Sequence, residues 1–259
     1  MNAKLIWQTM RDEADIAGRA EPVLASFYHA TILNHQSFEQ AISYHLANKL
    51  DSEALPALQL FEVFEQCLVA EPDIAMAMLR DVEAYKERDP ACDQYSMPFL
   101  YFKGYHALQA YRFSHWLWRQ GREALALYLQ NQISQIFGVD IHPGACVGTG
   151  IMIDHATGVV IGETVVIGND VSMLHAVTLG GSGCSQGDRH PKIGSGVLIS
   201  AGAKILGNIE VGEGAKVGAG SVVLESVAAH TTVAGVPARV VGAPEVLAPA
   251  LEMNHQLGG

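Results

Sequence analysis

Positive charge is scarce in this chain. Sixteen Lys and Arg stand against 27 Asp and Glu, a formal net charge of −11 over 259 residues. A nucleic-acid binder needs a basic face for phosphate contacts, so the balance argues against that class. Although 49% of the residues are hydrophobic, no apolar run approaches the roughly 18 residues of a membrane span. The first residues lack a basic stretch followed by an apolar one, so no secretory signal is expected. Cys67, Cys92, Cys146 and Cys184 are scattered, with no C-x-x-C among them. That excludes a zinc ribbon or a thioredoxin-type motif and suits a reducing cytoplasm.

Aromatic residues are absent beyond Phe137, and glycine is nearly absent before it. All 19 aromatics lie in the first half, while 22 of the 26 glycines lie from Gly144 onward. Such segregation predicts two packing styles in one chain: a helical domain over 1–138, a second domain over 139–242 and a tail over 243–259. Net charge is shared almost equally, −6 and −5 on either side of residue 138. The first half carries apolar residues at helical spacing, as in Leu58, Phe61, Phe64 and Leu68, and in Leu108, Tyr111, His115 and Trp118. Glu21-Pro22 reads as a helix start, and Ser37-x-x-Gln40 as a capping box. Asp89-Pro90 ends a helix and opens a loop. The aromatic stripes read as the core of a helical bundle, with a partner subunit as the other surface they could face.

The second half has a period of six. Ile or Val occupies 141, 147, 153, 159, 165, 171 and 177, then 193, 199, 205, 211, 217 and 223. Helices need a period of 3.6 and simple strands a period of 2; six means a short strand, a tight turn and another short strand. Three such units close one triangular coil, and stacked coils bury the repeating Ile/Val. The predicted fold is therefore α + β: an N-terminal α-helical bundle followed by a left-handed parallel β-helix of hexapeptide repeats. A narrow prism has no room for rings, which accounts for the missing aromatics. On this pattern Cys146 is expected in the core, and Lys192, Lys204 and Lys216 read as solvated charges at the corners.

The repeat is interrupted twice. Its register slips by two residues near Gly158-Val159, and it stops at Thr178 to resume at Ile193, which leaves a glycine-rich polar loop over 178–192. Loops that leave a solenoid commonly carry function. Histidine is the usual general base near neutral pH, and His142, His155, His175 and His190 lie in this half. A lone histidine is more often a surface or structural residue. His155 differs because carboxylates are within reach. Asp154 precedes it, but side chains of adjacent strand residues point to opposite faces, so Asp154 is not expected to orient its ring. Asp140, about one coil earlier, is expected to do so, leaving the other ring nitrogen free as base. His155 and His175 are expected to stack one coil apart. A nucleophilic Cys184 is disfavoured, since no base is evident beside it. A metal site on His155, His175 and His190 is also disfavoured, because it leaves Asp140, the DRHP loop and the helical half without a role.

With DIHPGACVGTGIMIDHATGVVIGE, TLGGSGCSQGDRHPKIG and AGVPARVVG behind a helical half, the chain resembles the serine O-acetyltransferase family of the hexapeptide-repeat acyltransferases, through about residue 245. The resemblance implies acetyl transfer from acetyl-CoA to L-serine, the first step toward cysteine, with feedback inhibition by L-cysteine and no metal. His155 matches the base and Asp140 its partner. Asp89 and Asp154 match the carboxylates that hold the substrate ammonium. Arg189 and His190, from the adjacent subunit, match the groups that hold its carboxylate. Gly181 lies where a backbone N–H would meet the ligand. Ala201, Gly202, Lys216, Ala219 and Gly220 fall along the expected CoA groove. The family is usually a hexamer, in which β-helices trimerise and helical halves join two trimers. A sugar or antibiotic acceptor is the nearest alternative to serine. His175 stands where Gln or another uncharged polar residue is expected. Family members also insert a C-terminal Ile into O-acetylserine sulfhydrylase. Here the tail reads Leu257-Gly258-Gly259, so a weak complex or none is expected.

Overall fold

The protein is described by a computed structural model covering residues 3–183 and 186–257. Two groups of helices precede the solenoid. The first comprises α1 (Ala3–Ala20), α2 (Ala25–Tyr28), α3 (Phe38–Lys49) and α4 (Ala57–Ala70); the second comprises α5 (Asp73–Arg88), α6 (Ser96–Tyr101), α7 (Lys103–Arg119) and α8 (Glu123–Phe137). Pro22 opens a 3-10 turn that runs directly into α2. Ser37 caps α3, its Oγ accepting from Gln40 N at 3.3 Å, but Gln40 Oε1 turns to Gln36 N and not to Ser37. The buried stripe of α4 is Leu60, Phe64, Cys67 and Leu68. Leu58, expected in that stripe, is 70% exposed, because it sits in the first turn on the opposite side from Leu60.

Gly138 ends α8 in a left-handed conformation, φ +67°, and the β-helix begins at Val139. Its three faces are parallel sheets. The first face stacks the strands 139–141, 159–161, 178–180, 204–206 and 222–223; the second stacks 146–147, 166–167, 192–193 and 210–211; the third runs from 152–153 through 172–173, 198–199 and 216–217 to 232–235. The last of these turns back as an antiparallel strand, Ala238–Gly242. The period-six Ile/Val positions form the prism interior: Ile141, Ile153, Val159, Val165, Val171, Val177 and the series Ile193 to Val223 are buried, with Val147 half-buried. Cys146 is exposed, contrary to expectation. It precedes the inward-facing Val147 on a two-residue strand and so points outward.

Register places the interruptions. Met152 pairs with Ser172, an offset of 20, whereas Val160 pairs with Thr178, an offset of 18. The two extra residues therefore lie in the corner between 153 and 159, which carries Asp154 and His155. Thr178 then pairs with Lys204, an offset of 26, and this coil contains the polar loop.

Helices α5 and α7 lie against the first coil of the prism, and buried polar groups fix them there. Tyr85 Oη donates to Ile153 O at 2.8 Å and accepts from Ile153 N at 3.0 Å. Asp81, fully buried, pairs with Arg112 at 2.7 Å and accepts from Ile151 N, while Arg112 also donates to Gly148 O. Arg88 donates to Gly150 O and pairs with Asp170 at 2.9 Å. These bonds go largely to the backbone of one coil, so they set where the end of α5, and hence Asp89, meets the corner at 154–158.

Candidate active site

Asp89 follows the last residue of α5, its backbone extended (ψ 110°) and its Oδ1 accepting from Ala91 N. Together with Asp154, His155, Tyr85, Tyr101, Phe102 and Lys103 it lines a cavity of about 350 Å³ between the helical half and the first long corner. His155 Nε2 lies 3.3 Å from Asp154 Oδ2, and its side chain is 73% exposed. The contact between sequence neighbours overturns the expectation drawn from strand alternation. His155 and Ala156 both have positive φ, +55° and +58°, so the chain here is a turn, and adjacent side chains can converge.

Asp140 is placed elsewhere. It pairs in register with Val160 on the first face, and its Oδ1 accepts from Gln130 Nε2 at 2.7 Å. The Asp140–His155 bond expected within one chain is not formed among the described residues. One coil separation places Asp140 opposite Val160, five positions past His155 and beyond the lengthened corner. His175 lies one coil above His155, ring centroids 6.0 Å apart and nearly perpendicular.

Arg189 and His190 form a second cluster at the next corner of the prism, across the strand 159–161. Arg189 Nη2 pairs with Glu163 Oε2 at 2.6 Å, a bond that holds the Glu163 carboxyl below the usual carboxylate range. His190 is 7% exposed and shares a hydrogen bond with Thr164 Oγ1 at 2.9 Å. Burial, then the neighbouring Arg189 charge, pushes its imidazole below its ordinary pKa. Gly162 is required here, because a Cβ would fall 2.2 Å from the His190 ring. Gly181 lies beside Arg189 and His190, its Cβ position 3.6 Å from Arg189 O. Sequence reasoning missed Glu163 and Thr164. The available signal was an acidic residue directly after a corner glycine, one coil below the loop's arginine. Cys184 lies outside the described residues.

The residues expected along a CoA groove divide. Ala201-Gly202 and Ala219-Gly220 occupy the same corner column as His155 and His175: Gly202 N donates to His175 O, and Gly220 N to Ala201 O. Their small side chains leave one edge of the prism uncluttered. Lys216 is not at that edge. It is 5% exposed on the third face and donates to Gln256 O. The tail, including α9 (Pro249–Glu252), covers this face, with His255 Nδ1 at 2.8 Å from Ser200 Oγ. Lys192 and Lys204 are not simply solvated either: Lys192 donates to Thr164 O, His190 O and Asp188, and Lys204 to Ala176 O. Among the described residues no cluster of His, Cys, Asp and Glu is placed to hold a metal, and no helix is long and apolar enough to cross a membrane.

The repeat, the helical half and a corner-borne histidine among carboxylates define a hexapeptide-repeat acyltransferase. Residues 6–110 match the model of the N-terminal domain of serine acetyltransferase, and residues 190–225 the bacterial transferase hexapeptide model. The serine acetyltransferase of Escherichia coli K12 is 58% identical over 99% of this chain and 94% of its own. The crystal structure of the Vibrio cholerae enzyme superposes with a TM-score of 0.98 at 60% identity, covering 99% of this chain and all of that one. A serine acetyltransferase in complex with cysteine gives 0.95 at 55% identity, covering 97% and 98%. The chain belongs to the serine acetyltransferase family.

Proposed function

We propose that the protein transfers the acetyl group of acetyl-CoA to the hydroxyl of L-serine, giving O-acetyl-L-serine and free CoA, as the first step of cysteine synthesis in the cytoplasm. The observation that carries this reading is the cavity shared by Asp89, Asp154 and His155. Two carboxylates suit an ammonium, and a base stands at the same wall. Related structures hold CoA and serine, and the cysteine complex noted above supports L-cysteine as an inhibitor at the serine position.

His155 takes the hydroxyl proton as the serine oxygen attacks the thioester carbon. The C–O bond forms, the C–S bond breaks, and the CoA thiolate regains the proton from the imidazolium. Holding both substrates together supplies a large share of the rate by proximity. The backbone N–H of Gly181 is assigned to the carbonyl oxygen, where charge develops. Arg189 offers a planar fork for the serine carboxylate, with His190 beside it. Ala201, Gly202, Ala219 and Gly220 line the path of the pantetheine arm.

One chain carries both charge clusters, but at different corners. The complete site is therefore assembled between copies: one gives Asp89, Asp154 and His155, and its neighbour gives Asp140, Arg189 and His190. Asp140 orients His155 across that junction. A trimer of β-helices meets the requirement, and pairing of helical halves extends it to a hexamer. Binding to O-acetylserine sulfhydrylase is decided by titrating that enzyme with the protein; Gly258 and Gly259 lie outside the described residues. Release of free thiol from acetyl-CoA, compared across L-serine, homoserine and sugars, tests the acceptor assignment.

A further inference from the structure

The corner that carries His155 differs from the other corners of the prism. The corner one coil above has a single left-handed non-glycine residue, Ala176 (φ +56°), and the next two use Gly202 and Gly220. The first corner is two residues longer and places His155 and Ala156 in succession in the left-handed region. An L residue is disfavoured in that region, so the bulge persists only where its surroundings hold it.

Its own backbone supplies part of the restraint. Ala156 N donates to Asp154 O at 2.6 Å, Thr157 N to His155 O at 2.7 Å, and Ala176 N to Thr157 O at 2.8 Å. Gly158 N donates to Gly138 O at 2.7 Å and Val159 N to Ala156 O at 3.1 Å, and the start of α7 adds to these. Gly104 is packed so closely that a Cβ would lie 2.0 Å from Ile153 O and 3.0 Å from the Ala156 methyl. Beside it, Lys103 Nζ donates to Thr157 Oγ1, and Lys103 also lines the cavity that holds Asp89, Asp154 and His155.

We propose that Lys103 is a positioning residue for the base: its ammonium clamps Thr157 and so holds the left-handed bulge that presents His155. This rests on the assignment of His155 as the base. It gives the helical half a part in turnover beyond supplying Asp89. The lysine acts through Thr157 and takes no proton from substrate.

The test uses full-length Lys103→Met, Lys103→Arg, Thr157→Val and the double variant Lys103→Met/Thr157→Val, with His155→Ala as reference. Lys103→Met keeps the apolar stem and removes the donor; Thr157→Val removes the acceptor at nearly equal volume. The expected result is a fall in kcat of about tenfold in each single variant, with KM for acetyl-CoA within about twofold and thermal midpoint nearly unchanged. The double variant should be no slower than the slower single one, because both break the same bond. Lys103→Arg should recover most of the loss. Additive losses in the double variant, a change in KM alone, or wild-type kcat in Lys103→Met would each overturn the clamp. A folded His155→Ala protein that retains turnover would overturn the base assignment instead, whatever Lys103→Met does.

Discussion

His155 and His190 stand at different corners of the same prism, with the strand 159–161 between them. His155 belongs to the corner that closes the third face onto the first, next to Asp154 at 3.3 Å. His190 packs on Gly162 and Thr164 at the corner that opens the second face. On the proposed assembly, a substrate held by both groups lies between two copies of the chain. Two inactive variants should therefore complement each other. Co-expressed His155→Ala and Arg189→Ala chains should regain activity that neither shows alone, because random mixing in a cyclic oligomer leaves roughly a quarter of the junctions with both halves intact. Assay of purified mixed oligomers checks this; no recovery above the two parents would place the whole site in one chain.

The carboxylates give a separable effect. Asp89→Ala should raise KM for serine and the inhibition constant for cysteine together, since both ligands present an ammonium to the same wall. KM for acetyl-CoA should stay near its original value. Initial-rate measurements with each substrate varied in turn decide it; a change confined to acetyl-CoA would contradict the ammonium assignment.

Packing between the halves predicts a third result. Gly104→Ala puts a methyl 2.0 Å from a backbone oxygen, which cannot swing aside as a side-chain end would. The N-terminus of α7 must retreat from the corner, at a cost of about 1–3 kcal/mol. Thermal denaturation should show a lower midpoint and the assay a lower kcat. An unchanged midpoint and rate would mean the two halves are not in close contact there.

A buried histidine pair makes the helical half acid-sensitive. His106 donates to Phe99 O at 2.7 Å and stacks edge-on against buried His45. Burial first, then the Lys49 charge, lowers the His106 pKa from 6.5 to about 3. The unfolded chain therefore takes up this proton before the folded one does. Stability is fully present above pH 6.5 and declines as pH falls from 6.5 toward 3, by an amount on the order of 3–5 kcal/mol for a shift of this size. Urea unfolding followed as a function of pH should show that slope, and His106→Gln should flatten it. An equal slope in the variant would contradict the assignment.

The solenoid was legible because one physical requirement, an inward apolar residue at every sixth position, is written repeatedly along the chain. Even the two-residue slip was visible, and it falls in the corner that carries His155. Relations that depend on a local departure from the repeat were harder to read. Alternation of side chains, valid along strands, was carried into a corner where His155 and Ala156 are left-handed, so the Asp154 contact was missed. Counting one plain coil from Asp140 leaves out the two-residue slip, and with the slip added its partner is Val160. Glu163 and Lys103 act across 26 and 54 positions, through single polar contacts with no periodic trace. Leu58 misled because helical spacing alone does not say which stripe faces the core.

The most direct test of the account is thiol release from acetyl-CoA in the presence of L-serine, with the product identified by mass, for the wild-type chain and for His155→Ala. The account predicts O-acetyl-L-serine from the wild type and a kcat lower by about 10²–10⁴-fold in a folded His155→Ala protein. Turnover by His155→Ala close to that of the wild type, or thiol release that does not depend on serine, would contradict it.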